Sequence, residues 1–145
     1  MSDVSIKLVL PSDPRFGGVV RATVEHFAAA LGIPEGECCA VALAVQEAVT
    51  NIIRHAYADR HDRPIELTCT VRVDMLEFVL LDEGVAADPG RFRARPLGEV
   101  RGGGFGTHIM AQVMDGVHYE RLTHGNRLRM VKHFVKVDQE TGNRE

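Results

Sequence analysis

The chain has 145 residues, a net charge of −3, 45% hydrophobic and 26% charged residues. These values fit one soluble globular domain, 1–145, with one core. They leave no overall basic field to draw nucleic acid or an anionic membrane. No uninterrupted apolar run approaches a membrane span, and the first residues lack a signal-peptide pattern. Three cysteines, Cys38, Cys39 and Cys69, make neither a disulfide framework nor CxxC metal spacing, so a cytoplasmic protein with free thiols is expected.

Ser5 to Leu10 reads as a short strand. Asp13-Pro14 then offers an N-cap and a proline at the first helical position. Val20, Thr23, Val24, Phe27, Ala28 and Leu31 recur at helical spacing, and Gly32 ends that helix. A second helix starts at Pro34-Glu35-Gly36 and runs to about Ala58. Val41, Ala44, Val45, Ala48, Val49, Ile52, Ile53 and Ala56 give it a wide apolar face. Glu47, Asn51 and His55 fall at i, i+4 and i+8, so their polar heads share one edge. That edge is either the ordinary surface of a core helix or the floor of a site for a charged ligand or metal, because a desolvated carboxylate needs a partner.

Ile65 to Val73 alternates apolar and polar residues, and Leu76 to Leu81 is apolar on both faces, as a central strand would be. It stops at Asp82-Glu83-Gly84, where a carboxylate at a strand end can accept from an amino group. Val85 to Gly103 has no periodicity and carries Arg91, Arg93, Arg95 and Arg101; an irregular stretch of that length suits a lid. Gly102 to Gly106 precedes a short helix from Thr107 to Met114, an arrangement suited to phosphate. It is neither a P-loop, since no Lys-Ser/Thr follows, nor a first-βαβ dinucleotide turn. Val117 to Leu122 and Arg127 to Val137 form a terminal hairpin joined through His124-Gly125-Asn126.

The order of these pieces is more specific than any one of them. Glu-x3-Asn on a helix, Asp-x-Gly ending a strand, an irregular lid and Gly-x-Gly before a helix together resemble the GHKL (Bergerat-fold) ATP-binding domains. EAVTNIIRHAY at Glu47 to Tyr57 and GGGFGTHIMAQVMDGVHYE at Gly102 to Glu120 are most similar to the small bacterial serine/threonine kinases that act as anti-sigma factors, the RsbW/SpoIIAB kind. The resemblance spans about Val19 to Phe134. It implies an α/β (α+β) two-layer sandwich, with a mixed, mostly antiparallel sheet, about three helices on one face and an ATP lid. It implies ATP and Mg²⁺ as cofactors, with Asn51 on the metal and Glu47 as general base toward a Ser/Thr hydroxyl. Asp82 would take the adenine amino group and Gly84 would let the ring approach. Gly102, Gly104, Phe105, Gly106 and Thr107 would lie at the phosphates, and His55 would complete the nucleotide contacts.

The implied partners are a sigma factor, a STAS-type antagonist as phosphoacceptor, and a second copy of the chain in a homodimer. Nucleic acid and membrane are not expected as direct partners. The sequence departs from the family pattern twice. Val85-Ala86-Ala87 stands where a further Gly and a Phe are usual, and Gly125-Asn126 where Gly-Thr is common. The first departure motivates an alternative: a nucleotide-responsive protein-binding switch with little or no kinase activity. A histidine-kinase catalytic half ranks last, because residues before 15 leave no room for a phosphoacceptor helix pair.

Overall fold

The computed structural model describes residues 3–86 and 105–134, with residues 105–108 described by their backbone alone. β1 (Val4–Pro11) leads to a 3-10 turn at Pro14–Phe16, capped by Asp13, whose carboxylate accepts from Arg15 N–H. The proline therefore opens a 3-10 turn, and helix α1 (Gly17–Ala30) begins one turn later than the Asp-Pro signal suggests. Gly32 closes α1 at φ +82°, with Gly32 N–H donating to Ala29 O and Ile33 N–H to Ala28 O. This is the left-handed C-terminal turn in which glycine carries no Cβ penalty.

α2 (Glu35–Asn51) has Glu35 and Glu37 in its first turn, where acid complements the helix dipole. It continues without a break into a π turn, Ile52–Ala56, which begins at the residue after Asn51. By length and apolar content the segment Glu35–Ala56 could cross a membrane, although the sequence shows no apolar run of that length. Here its apolar side is the core: Val41, Ala44, Val45, Ala48, Val49, Ile52 and Ile53 are all buried. α1 packs along one flank of α2 and α3 (Phe105–Val113) along another.

β2 (Pro64–Arg72), β3 (Met75–Asp82), β4 (Gly116–Leu122) and β5 (Gly125–His133) join β1 in one sheet of order β1-β2-β3-β5-β4. All four pairings between these strands are antiparallel, so the described sheet is antiparallel throughout. Register places Leu67, Leu80 and Leu128 in one row and Cys69, Phe78 and Met130 in the next. These side chains meet Val20, Val24, Phe27 and the α2 apolar face in a single core cluster. Cys69 is among them, and burial pushes its thiol pKa up to about 12, so it behaves as a small apolar residue. All three cysteines are free thiols.

One row of that same inner face carries two polar residues. Ile65, Asp82 and Asn126 lie opposite one another across β2, β3 and β5. The sequence puts Asn126 in the hairpin connection, but β5 already begins at Gly125, which pairs with Leu122 across a two-residue turn. Asn126 thus belongs to the strand and shares its face with Leu128 and Met130.

Candidate functional site: the end of the central strand and the central helix

Asp82 and Asn126 are both buried, and their side chains meet. Asp82 Oδ1 accepts from Gly84 N–H at 2.8 Å and from Asn126 Nδ2 at 2.8 Å. Asn126 Nδ2 also donates to Val85 O at 2.8 Å, while its Oδ1 accepts from the Tyr119 hydroxyl and from Arg121 Nη1 at 3.3 Å. Two acceptors on one side fix which amide atom is nitrogen, and every polar position of Asn126 is used. Asp82 Oδ2 accepts no hydrogen bond from any described residue. Burial raises the Asp82 pKa, and the Gly84 and Asn126 hydrogen bonds and the Arg121 charge offset only part of that.

The glycines here have steric reasons visible in the backbone. A Cβ on Gly84 would stand 2.3 Å from Ala56 O, because Val85 N–H donates to that carbonyl at 2.9 Å and draws the strand end onto the helix end. Gly84 is therefore required by a helix carbonyl, whatever else approaches it. Gly125 has φ +112°, and a Cβ there would fall 1.8 Å from Asp82 O. Tyr57 reinforces the junction: its hydroxyl donates to Pro64 O at 2.5 Å and accepts from Glu83 N–H at 2.7 Å.

The helix edge is different in kind. Glu47, Asn51 and His55 are each half-buried along α2 and the π turn, the stripe expected from their spacing. Asn51 Nδ2 is buried and has no hydrogen-bond partner among the described residues. Whichever way the amide is turned, one polar atom lacks a partner, at a cost of about 1–3 kcal/mol. The Glu47 carboxylate forms no hydrogen bond or ion pair with a described residue. Single-turn π-bulges recur at functional sites, and this one starts directly after Asn51.

Among the described residues no group of three or more His, Cys, Asp or Glu could by itself hold a metal ion. Any metal at Asn51 would thus depend on ligands outside such a cluster, which suits a hard cation held through phosphate oxygens and water. The unpaired amide of Asn51, the unpaired Glu47 carboxylate and the open Oδ2 of Asp82 fit a metal–nucleotide ligand. Gly106 and Thr107 open α3, together with Phe105. Gly102 and Gly104, and the lid stretch from Ala87 onward, lie outside the described residues.

Sequence reasoning singled out Asp82, Gly84, Asn51 and Glu47, and the structure groups Asp82 with Gly84 and Glu47 with Asn51. It missed Tyr57, Tyr119 and Arg121 as parts of the junction. The period-two pattern Asn126, Leu128, Met130 was the available signal for the place of Asn126.

Comparison with known proteins gives the same architecture. A family described as "Histidine kinase-like ATPase domain" matches residues 10–132. The chain is 28% identical over 147 residues to "Serine-protein kinase RsbW" of Bacillus subtilis (strain 168), covering 94% of this chain and 91% of that one. It is 30% identical over 143 residues to a protein of the same name from Halalkalibacterium halodurans, covering 93% and 86%. To "Anti-sigma F factor" of Clostridium novyi it is 27% identical, covering 95% and 100%. Among solved structures, the histidine kinase domain of a blue-light activated histidine kinase from Erythrobacter litoralis superposes with a TM-score of 0.56 at 18% identity. That match covers 90% of this chain and 64% of the other, and it speaks to the fold alone. With the family match spanning most of its length, the chain belongs to the histidine kinase-like ATPase domain family.

Proposed function

We propose that this chain is an ATP-dependent protein serine/threonine kinase that acts as an anti-sigma factor, phosphorylating a STAS-type antagonist. The observation that carries the site reading is the bare amide of Asn51 one helical turn from the unpaired carboxylate of Glu47. The names of the relatives supply the biological role.

Asp82 recognises adenine through Oδ2, since Oδ1 is already held by Gly84 and Asn126. Asn51 supplies an amide oxygen to Mg²⁺, and His55 flanks the nucleotide. Gly102, Gly104, Phe105, Gly106 and Thr107 surround the phosphates, where backbone N–H groups and a helix start favour anions. Mg²⁺, when bound, neutralises charge on the phosphates during transfer. Glu47 orients the acceptor hydroxyl and takes its proton as the oxygen bonds to the γ-phosphorus and the bond from that phosphorus to the bridging oxygen breaks, releasing ADP. Phosphoryl transfer asks chiefly for placed donors and an oriented nucleophile, which this arrangement offers.

Two further parts of the reading concern assembly and place. β1 is an edge strand and exposes Val4, Ile6 and Val9, while Phe16 and Val19 are exposed nearby in sequence. Apolar residues on an unpaired strand edge favour a homodimer there. Three free thiols favour the cytoplasm. We take residues 1–145 as one domain.

The test is phosphate transfer from labelled ATP to a STAS-type antagonist by wild type and by Glu47→Ala. Loss of transfer with retained ATP binding is expected; wild-type transfer by the variant removes Glu47 as the base. The alternative, a nucleotide-set binding switch with little catalysis, draws on Val85-Ala86-Ala87, the departure from the family pattern that follows Gly84. It predicts nucleotide-dependent partner affinity with no phosphoprotein.

A further inference from the structure

A cavity of about 370 Å³ lies where the loop after the π turn, the end of β3 and the tip of the β4–β5 hairpin meet. Tyr57, Arg60, Arg63, Glu83, Arg121 and His124 line it. We propose that this cavity is a binding site for a small organic oxyanion, a phosphate or a dicarboxylate, distinct from the Asn51–Glu47 edge.

The charge pattern carries the inference. Three arginines and one acidic residue, Glu83, line the cavity. Arg60 has only a 3.8 Å contact with Asp62, and both side chains are largely exposed. Such a pair contributes little. Arg63 and Arg121 form no ion pair with a described residue, although the Arg121 charge also acts on the buried Asp82 carboxylate. Arg121 donates all its hydrogen bonds from Nη1, to Gly84 O at 2.7 Å, Gly125 O at 2.9 Å and Asn126 Oδ1 at 3.3 Å. One end of its fork is thus anchored to backbone, and Nε and Nη2 form no hydrogen bond with a described residue. A guanidinium held in this way is pre-organised for a two-point contact with an oxyanion.

A simpler reading is that these arginines neutralise the negative end of the central helix. The carbonyls there are already engaged. Ile52 O accepts from Tyr57 N–H, Ile53 O from Asp59 N–H and Ala56 O from Val85 N–H. The arginines are not needed to satisfy those three groups.

The walls are also fixed before any ligand arrives. Ser12 accepts from Arg63 N–H at 3.0 Å and donates to Arg60 O at 2.5 Å, while Ser12 N–H donates to Arg63 O at 2.7 Å. These bonds clamp the arginine-bearing loop to the end of β1. The Tyr57 hydroxyl ties the opposite wall to Pro64 and Glu83. The volume falls within the range of small-molecule sites, and Ala56, Ala58 and Val85 give the anion's carbon body apolar surface.

The experiment is a nuclear magnetic resonance titration of the full chain without nucleotide, following the Gly84 and Gly125 amides and the arginine Nε–H signals. Phosphoenolpyruvate, inorganic phosphate and succinate are the probes, and Asn51→Ala is titrated in parallel to separate this cavity from the helix edge. Saturable shifts at Gly84, Gly125 and Arg121 are expected, unchanged in Asn51→Ala. They should weaken about tenfold in Arg63→Ala, which loses one charged contact and no existing side-chain bond. Response to the phosphates alone assigns a phosphate ligand, and response to succinate alone a dicarboxylate; either supports the site. No saturable shift with any probe, or shifts undiminished in both Arg60→Ala and Arg63→Ala when both variants melt as wild type, overturns it.

Discussion

Asn51→Ala separates the energetic cost of the site from its use. The buried, unpartnered amide costs the ligand-free protein about 1–3 kcal/mol. Alanine removes that amide and gains about 0.5 kcal/mol of helix propensity in α2. Against this stands about 1 kcal/mol of lost packing at a half-buried position. The ligand-free variant should therefore be more stable by about 0.5–2.5 kcal/mol. At about 4 °C per kcal/mol for a chain of this size, its Tm rises by about 2–10 °C. Ligand linkage moves the other way. At a nucleotide concentration a hundredfold above Kd, wild type gains about 2.7 kcal/mol, which the variant loses if Asn51 holds the metal. Differential scanning fluorimetry with and without Mg-ATP reads both effects in one plate. An unchanged or lowered ligand-free Tm would mean that the amide is satisfied in solution. A retained ATP shift would remove Asn51 from the site.

Asp82 and Glu77 should titrate with opposite signs. Burial holds the Asp82 pKa above 3.8, so the proton is bound more tightly in the folded state. Its stabilising contribution is complete below 3.8 and is lost as pH rises through the folded value. Asp82→Asn, which keeps acceptors for Gly84 and Asn126, should be more stable than wild type at pH 7 by urea denaturation, with the gain shrinking toward pH 4. Burial would also raise Glu77, but the Arg129 hydrogen bond and charge, joined by Arg72, hold its pKa below 4.5. That contribution is present above 4.5 and lost as pH falls through the folded value. Glu77→Gln should cost about 1–3 kcal/mol at pH 7 and converge with wild type in acid. Gly125→Ala forces a Cβ onto Asp82 O at a positive φ and should cost about 4 kcal/mol or abolish folding, read as loss of the cooperative melt.

Much of the fold was legible because period and punctuation agreed. The α2 apolar face, Gly32 as a stop and the alternation in β2 each follow from local sequence. So did the polar stripe Glu47–Asn51–His55, since i, i+4 spacing needs no tertiary knowledge. What escaped was tertiary in origin. The Asp-Pro signal is satisfied equally by a 3-10 turn, so it could not fix the start of α1. Gly125 looks like a loop residue, yet its positive φ serves a two-residue turn, and that one-residue difference brings Asn126 to the inner face beside Asp82. Gly84 could be read only as room for a ring, because the Ala56 carbonyl that excludes its Cβ lies 28 residues earlier in the chain.

Two asparagines state the logic of the site. Asn126 spends both amide hydrogens and both lone pairs within the fold, fixing Asp82 Oδ1 and the Val85 carbonyl and taking hydrogen bonds from Tyr119 and Arg121. Asn51 has no partner for its buried amide nitrogen among the described residues. A saturated network is rigid, and an unsatisfied group raises the energy of the state that contains it. On the proposed reading the adenine end is therefore built in advance, and the metal–phosphate end is completed by its ligand. Recognition of the base then costs little reorganisation, and a phosphate oxygen accepting from the bare Asn51 Nδ2 adds to the affinity for the phosphate part. Replacing Asn126 should accordingly weaken base recognition by freeing Asp82 Oδ1, while replacing Asn51 should trade ligand affinity for ligand-free stability.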